Sequence, residues 1–222
     1  PPEQVPIAQR KIIRTARAAG KPVIVATHML ESMVEAATPT RAEASDVATA
    51  VYQGADAVML SAESAIGRHP QSAVAIMDRI IRAVEDDEEY WASLPRDMTP
   101  PQATTADAIA LSARHIADVV GCAALVAYTA TGSTAIRVAR ERPRCGVIGL
   151  TPLIATARKL ALVWGVRSMV TEDVENVEEM VSKADAAVRK LGLEVGDRVA
   201  IIAGIPFGRA GKTNTIRVLR LE

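Results

Sequence analysis

The sequence predicts an α/β protein in two parts, and three observations carry that prediction. Short aliphatic runs of strand length alternate with stretches in which apolar residues recur every three or four positions, the pattern of repeated βα units. An acidic, proline-rich break after Glu85 interrupts the alternation, which restarts near Thr105. Apolar residues make up 49% of the 222 while aromatics are only 3%, so the core must be aliphatic and alanine-rich, as where helices pack on parallel strands.

Taken in order, Val5, Ala8, Ile12, Ala16 and Ala19 fall at helical spacing, with Pro6 suited to a first turn and Gly20 to a stop. Pro22 to Ala26 then reads as a strand, continuous enough in its apolar character to be buried on both faces. Arg41 to Gln53 supply a second helix, closed by Gly54, which feeds a second strand from Ala57 to Leu60. A third helix runs from Pro70 to about Glu85, with Val74, Met77, Ile81 and Val84 on one face. Glu85 to Glu89 and the prolines at 95, 100 and 101 mark a linker, in which Tyr90 and Trp91 are anchors to a domain surface. The expected division is 1–88, a linker over 89–103, and a second domain over 104–222.

In that second domain Ala106, Ile109, Ala113, Ile116 and Ala117 mark a helix, followed by a strand over Ala123 to Tyr128 and a helix from Ser133. Gly146 to Leu150 is a strand, Thr151-Pro152 supplies an N-cap and first-turn proline for a helix reaching Trp164, and Val166 to Val170 is a strand. Asp173 is placed to cap a helix with Val177, Met180, Val181, Ala184 and Val188 on its apolar stripe. Strands at Arg198 to Ala203 and Thr215 to Leu221 complete five strands and four helices, too few for a closed barrel and suited to an open α/β sandwich.

Composition narrows the function. Lys plus Arg is 26 and Asp plus Glu is 26, so no long-range field favours nucleic acid or an anionic membrane. No apolar run approaches the roughly 18 residues of a membrane span, and no signal pattern opens the chain, which reads as cytoplasmic. Cys122 and Cys145 fit neither a disulfide framework nor paired metal ligands, and read as small core residues. The opening Pro-Pro-Glu, without an initiator Met, is expected of an internal piece of a longer protein.

The chemistry is expected where the first two strands end. Thr27-His28 follows one and Ser61-Ala62-Glu63-Ser64 the other, placing hydroxyls and a carboxylate at the carboxyl ends of buried parallel strands, the face that carries active sites in (β/α) barrels. Thr27, Ser61 and Glu63 are the candidate catalytic residues; as plain strand-end caps they would only satisfy backbone groups. His28 invites an acid/base reading but is read as structural, and His69 and His115 have no partners at metal spacing. Thr129-Ala130-Thr131-Gly132-Ser133-Thr134 follows a strand and opens a helix, where hydroxyls and free N–H groups grip an anion. Gly211-Lys212-Thr213 suggests a nucleotide loop, but the pattern needs glycine at position 206, which is Pro206, and a β-prone run follows.

The segments VPIAQRKII (Val5 to Ile13), GKPVIVATHMLESM (Gly20 to Met33), PTRAEASDVATAV (Pro39 to Val51), GADAVMLSAESAIGRHP (Gly54 to Pro70) and ARERPRCGVIGLTP (Ala139 to Pro152) together resemble pyruvate kinase. The resemblance extends over nearly all of the chain but only part of the family's enzyme. It implies that residues 1 to about 88 are the final βα units of a TIM-type (β/α)8 barrel, followed by the family's C-terminal α/β domain. It implies transfer of phosphate from phosphoenolpyruvate to ADP, with Mg2+ and K+, in a homotetramer. Thr27 would lie beside the pyruvate moiety, and Ser61 and Glu63 in the network beneath it that protonates the enolate. The Thr129–Thr134 loop would hold a sugar-phosphate or AMP effector, with Arg209 and Lys212 as partners for phosphate. His28 stands where glutamine is usual and Ala62 where glycine is usual. The family's catalytic lysine and metal carboxylates lie on earlier strands, so the chain is expected to be inactive alone. The rival reading is a non-catalytic regulatory module that binds a phosphorylated metabolite.

Overall fold

A computed structural model describes residues 1–94, 103–208 and 212–222, and the chain divides into two compact units, Pro1–Thr99 and Pro100–Glu222.

In the first unit α1 (Val5–Ala18) carries Pro6 in its first turn and turns Ile13 inward. β1 (Ile24–Val25) leads through a 3-10 turn at Glu31–Val34 to α2 (Arg41–Tyr52), and β2 (Ala57–Val58) pairs parallel with β1, Ile24 opposite Ala57 and Val25 opposite Val58. Both strands are shorter than the apolar runs that contain them, and neither is buried on both faces; Ile24 is 46% exposed. Among the described residues they pair with each other and with no third strand, so each has one edge without a described partner. α3 (Ala62–Ala65) and α4 (Pro70–Glu85) follow, and Ile13, Met29, Leu30, Met33, Val47 and Met77 form the core beneath the strands. Residues 89 to 93, expected in the linker, belong to α5 (Glu88–Ser93), where Tyr90 is buried against Val51, Val84 and Leu94 and lies edge-on to Tyr52 at 6.0 Å.

The second unit contains α6 (Thr105–Val120), β3 (Ala124–Tyr128), α7 (Ser133–Arg140), β4 (Gly146–Thr151), α8 (Ile154–Leu160), β5 (Val166–Val170), α9 (Val177–Lys190), β6 (Arg198–Ala203) and β7 (Thr215–Arg220). The sheet order is β5-β4-β3-β6-β7, parallel except for antiparallel β7. Alternate residues of the central strands enter two cores. Leu125, Ala127, Ala200 and Ile202 meet the alanine-rich faces of α6 and α7 with Leu160 of α8, while Val126, Ile148, Val199 and Ile201 meet Met180, Ala184 and Val188 of α9. Burial on both faces is what continuous aliphatic runs prescribe for parallel strands.

Two helix starts differ from the sequence reading. Thr151 stays in β4, paired with Val170, so α8 begins at Ile154 and ends at Leu160, short of Trp164. Asn176, immediately before the first helical residue, caps α9 by accepting from Glu179 N at 2.8 Å, whereas Asp173 accepts from its neighbour Val174. A cap must lie within two or three residues of the N–H groups it satisfies, and Asp173 is too far upstream.

Because both faces of this sheet are covered within the unit, residues 103–222 expressed alone should unfold in one cooperative transition. Leu125→Ala, at a fully buried position, should cost about 2–5 kcal/mol in denaturant titration. A fragment without a cooperative transition would show that the unit is not self-sufficient.

Candidate functional site

The loop after β1 exposes two side chains and buries the next two. Thr27 and His28 both take left-handed backbone conformations, φ 71° and 55°, which costs side-chain-bearing residues about 1–2 kcal/mol each. The double turn leaves Thr27 and His28 in solvent and drives Met29 and Leu30 into the core. Thr27 Oγ1 donates to the Ala26 carbonyl at 2.7 Å. His28 has no hydrogen bond among the described residues.

After β2, Ser61 precedes the short helix α3, whose Glu63 is wholly buried. Glu63 Oε2 accepts from Ser61 N at 2.7 Å and Oε1 from Leu30 N at 3.1 Å. One carboxylate therefore ties together the loops leaving β1 and β2. Burial opposes its ionisation, but main-chain N–H groups at Glu63, Ser61 and Leu30, with a contribution from His28, outweigh burial and hold the carboxyl below its ordinary range. Ser61 and Glu63 are thus brought together, and Thr27 is joined to them through the Met29–Leu30 segment.

Glu43, which the sequence reading passed over, frames the same loop. Its Oε1 accepts from Ser32 N at 2.7 Å, and its Oε2 accepts from Ser32 Oγ at 2.6 Å, Thr40 N at 2.7 Å and Thr40 Oγ1 at 2.9 Å. Burial opposes ionisation and these bonds overcome it, lowering the carboxyl to about 2. The signal was present in the sequence, since Thr40-Arg41-Ala42-Glu43 is a capping box at the start of α2.

In the second unit the chain leaves β3 for β4 on one side and returns to β6 on the other, so the strand order reverses beside β3. At such a point the carboxyl-end loops part and leave a crevice. A cavity of about 170 Å3 lies there, lined by Thr129, Thr131, Ser133, Thr134 and Lys212, and also by Phe207, Glu172 and Asp173. Gly132, φ 89°, is the N-cap of α7, and no side-chain hydrogen bond caps that helix. Thr129 Oγ1 accepts from Gly132 N at 2.9 Å, and Thr131 Oγ1 donates to Ser133 Oγ at 3.2 Å. The hydroxyls of Thr134 and Thr213 share a buried hydrogen bond of 2.7 Å, and Asn214 brackets Ile205, accepting from its N–H and donating to its carbonyl. The first of these contacts fastens Thr213 to α7 and the others close the chain between Ile205 and Asn214; sequence reasoning missed them because Thr134 and Thr213 are 79 residues apart and carry no motif. A strand, β7, follows that loop where a nucleotide loop opens a helix. Arg209 lies outside the described residues.

Cys122 and Cys145 are free thiols, and burial pushes both up, Cys145 to about 11, which leaves them protonated and unreactive. Among the described residues no group of three or more His, Cys, Asp or Glu is placed to hold a metal ion, and both oxygens of Glu63 are already engaged by main-chain N–H groups. No described helix is long and apolar enough to cross a membrane.

Parallel strands that deliver hydroxyls and a buried carboxylate at their carboxyl ends, followed by a second α/β unit with a hydroxyl-lined crevice at its strand reversal, are the parts of a barrel-enzyme segment and an α/β domain. Comparison with known proteins gives the family. The pyruvate kinase barrel domain matches residues 1–74, and the pyruvate kinase alpha/beta domain matches residues 107–219. A pyruvate kinase of Methylorubrum extorquens is 52% identical over 98% of this chain and 46% of its own length, and one of Geobacillus stearothermophilus is 44% identical over 98% of this chain and 37% of its own. The crystal structure of a pyruvate kinase from Cryptosporidium parvum superposes with a TM-score of 0.90 at 35% identity, covering 100% of this chain and 44% of that one. The chain belongs to the pyruvate kinase family, and it spans less than half the length of these relatives.

The depressed carboxyl of Glu43 has a pH signature. Its stabilisation is fully present above the ordinary value of 4.5 and is lost as pH falls toward about 2. Glu43→Gln should therefore lower the melting temperature at pH 7 but make a shrinking difference as the pH is lowered below 4.5. An equal difference at pH 7 and pH 3 would rule out an ionised Glu43 as the clamp.

Proposed function

We propose that the chain forms one rim of the active site of an enzyme that transfers phosphate from phosphoenolpyruvate to ADP, giving pyruvate and ATP. The observation that carries this reading is Glu63, whose carboxylate joins the Thr27 loop to Ser61 at the carboxyl ends of two parallel strands. Loss of the phosphoryl group leaves an enolate whose terminal carbon takes up a proton. The exposed Thr27 hydroxyl and the Ser61 hydroxyl are the groups here that hold or relay it, while Glu63, already bonded through both oxygens, fixes the two loops. Mg2+ and K+ belong to the reading as charge-neutralising ions for phosphoryl transfer. No step above runs through them. The whole enzyme is read as a cytoplasmic homotetramer.

The second unit has its own role in this reading, the binding of a phosphorylated small molecule, a sugar phosphate or AMP. The uncapped start of α7, the hydroxyls of Thr129, Thr131, Ser133 and Thr134, and Lys212 support it, and Arg209 is proposed as a further phosphate partner.

Thr27→Val, made in a full-length enzyme containing this segment, should lower kcat and kcat/KM together with little change in KM, because the lost hydroxyl acts in the transition state. The 222-residue chain should show no turnover in the same coupled assay. An unchanged kcat would remove Thr27 from the reaction.

Ser133→Ala and Thr134→Ala should each weaken binding of sugar phosphates in titration calorimetry on this chain. Unchanged affinity in both would reduce the loop to a helix start.

A further inference from the structure

We propose that His28 is the proton source for the enolate in the reaction read above: its imidazolium gives up a proton that the Thr27 and Ser61 hydroxyls pass on, and the imidazole is recharged from water. This rests on the reading of the first unit as one rim of a site that consumes phosphoenolpyruvate, and adds the group that loads the relay.

The need for such a group follows from the protonation states at the two strand ends. Each turnover consumes one proton at the enolate carbon. A hydroxyl donates and accepts at once, so Thr27 and Ser61 pass on only what they receive, and Thr27 Oγ1 already gives its proton to the Ala26 carbonyl at 2.7 Å. Glu63 is no reservoir. Its carboxyl is held below the ordinary range, and both its oxygens accept main-chain N–H groups. Imidazole is the side chain that ordinarily exchanges a proton around neutral pH, and His28 is the histidine at these strand ends; His69 lies further on, at the start of α4.

The geometry of His28 suits exchange and not support. A structural histidine is buried and hydrogen-bonded, whereas His28 is exposed and has no hydrogen bond among the described residues. It sits directly after Thr27 in the same left-handed turn, at φ 55°, where glycine would reverse the chain without strain. Strain retained at a strand end points to a side chain with work there. The charged group set against it is Glu63 of α3, which His28 helps to hold ionised. The remaining acids of the loop are placed otherwise: Glu31 is exposed at the start of the 3-10 turn, Glu35 pairs with Arg68 at 2.9 Å, and Glu43 of α2 holds Ser32 and Thr40.

The step balances without an oxidant or reductant. The imidazolium N–H bond breaks as a hydroxyl takes that proton and releases its own to the terminal carbon. The enolate electron pair becomes the new C–H bond, the ketone forms, and the neutral imidazole recovers its proton from water.

The test uses a full-length enzyme containing this segment and reads proton transfer directly, as exchange of the pyruvate methyl protons with deuterated water, beside steady-state kinetics. His28→Gly fits the left-handed turn, so its melting temperature should not fall. Its methyl exchange and kcat should drop about tenfold or more, with KM for phosphoenolpyruvate within about twofold, and added imidazole should restore both rates. His28→Asn, polar and tolerant of the turn but without a titrating proton, should lose as much. The wild-type rate should fall with rising pH as imidazolium is depleted, and His28→Gly should lack that limb. Exchange and kcat within about twofold of wild type in either variant overturns the inference and leaves the active-site reading standing. A loss that imidazole does not restore makes His28 a structural residue and likewise overturns it. No turnover of phosphoenolpyruvate by the wild-type enzyme overturns the reading on which the inference rests.

Discussion

A carboxylate taken wholly out of water is tolerated only where donors converge on it, and Glu63 sets that requirement at the centre of the first unit. Its donors are the amides of Leu30 and Ser61, one from each loop that leaves a parallel strand. To bring Leu30 N back beneath Glu63, the chain after β1 must reverse within two residues, and Thr27 and His28 do so in left-handed conformations. The cost, about 1–2 kcal/mol per residue, is offset by burying Met29 and Leu30, worth about 1.5–3 kcal/mol each. The strained turn, the exposed hydroxyl and the buried acid are thus parts of one solution. Glu43 extends it outward by fixing Ser32 to Thr40, so the whole 27–43 connection hangs on two ionised carboxylates.

The second unit is arranged differently, with neutral hydroxyls rather than a buried carboxylate lining its crevice beside α7. α7 is anchored at its far end, where Arg137 and Arg140 reach buried Asp107 at 2.9 and 3.2 Å. Cations in a last helical turn also suit the helix dipole. With that end fixed by ion pairs, the near end holds its position without a side-chain cap, and Gly132 donates its own N–H to Thr129 Oγ1. The loop on the other side is fastened by neutral contacts, the Thr134–Thr213 hydroxyl pair and the Asn214–Ile205 bracket, which add no charge to compete with an anion.

The sequence revealed those features whose physics is local or periodic. The five strands and four helices of the second unit follow from aliphatic runs and three-to-four spacing, and the strand-end positions of Thr27, Ser61 and Glu63 follow from where those runs stop. Helix starts were less legible. Thr151-Pro152 has the chemistry of a cap, yet pairing with β5 carries Thr151 into the sheet, and pairing is a property of another strand. The same holds for Glu63, whose partner Leu30 is 33 residues away, and for Thr213, whose partner Thr134 is 79 away. Glu43 is the exception, since both halves of its capping box lie within four residues and needed only to be weighed.

The contrast between the two sheets has a single cause. A parallel strand presents apolar side chains on both faces and unpaired groups on both edges, so it is satisfied only by layers on each side and neighbours on each flank. β3 and β6 have all of these, and their residues Leu125, Val126, Ala200 and Ile201 are fully buried. Among the described residues β1 and β2 have one neighbour each, and Ile24 stays 46% exposed although its run is as apolar as theirs. The aliphatic run therefore states what a strand requires, and the number of its partners decides how much of it becomes strand. That is why two runs of four and five apolar residues yield two-residue strands here, while Arg198–Ala203, flanked on both sides, pairs over all six residues with β7 and over four with β3.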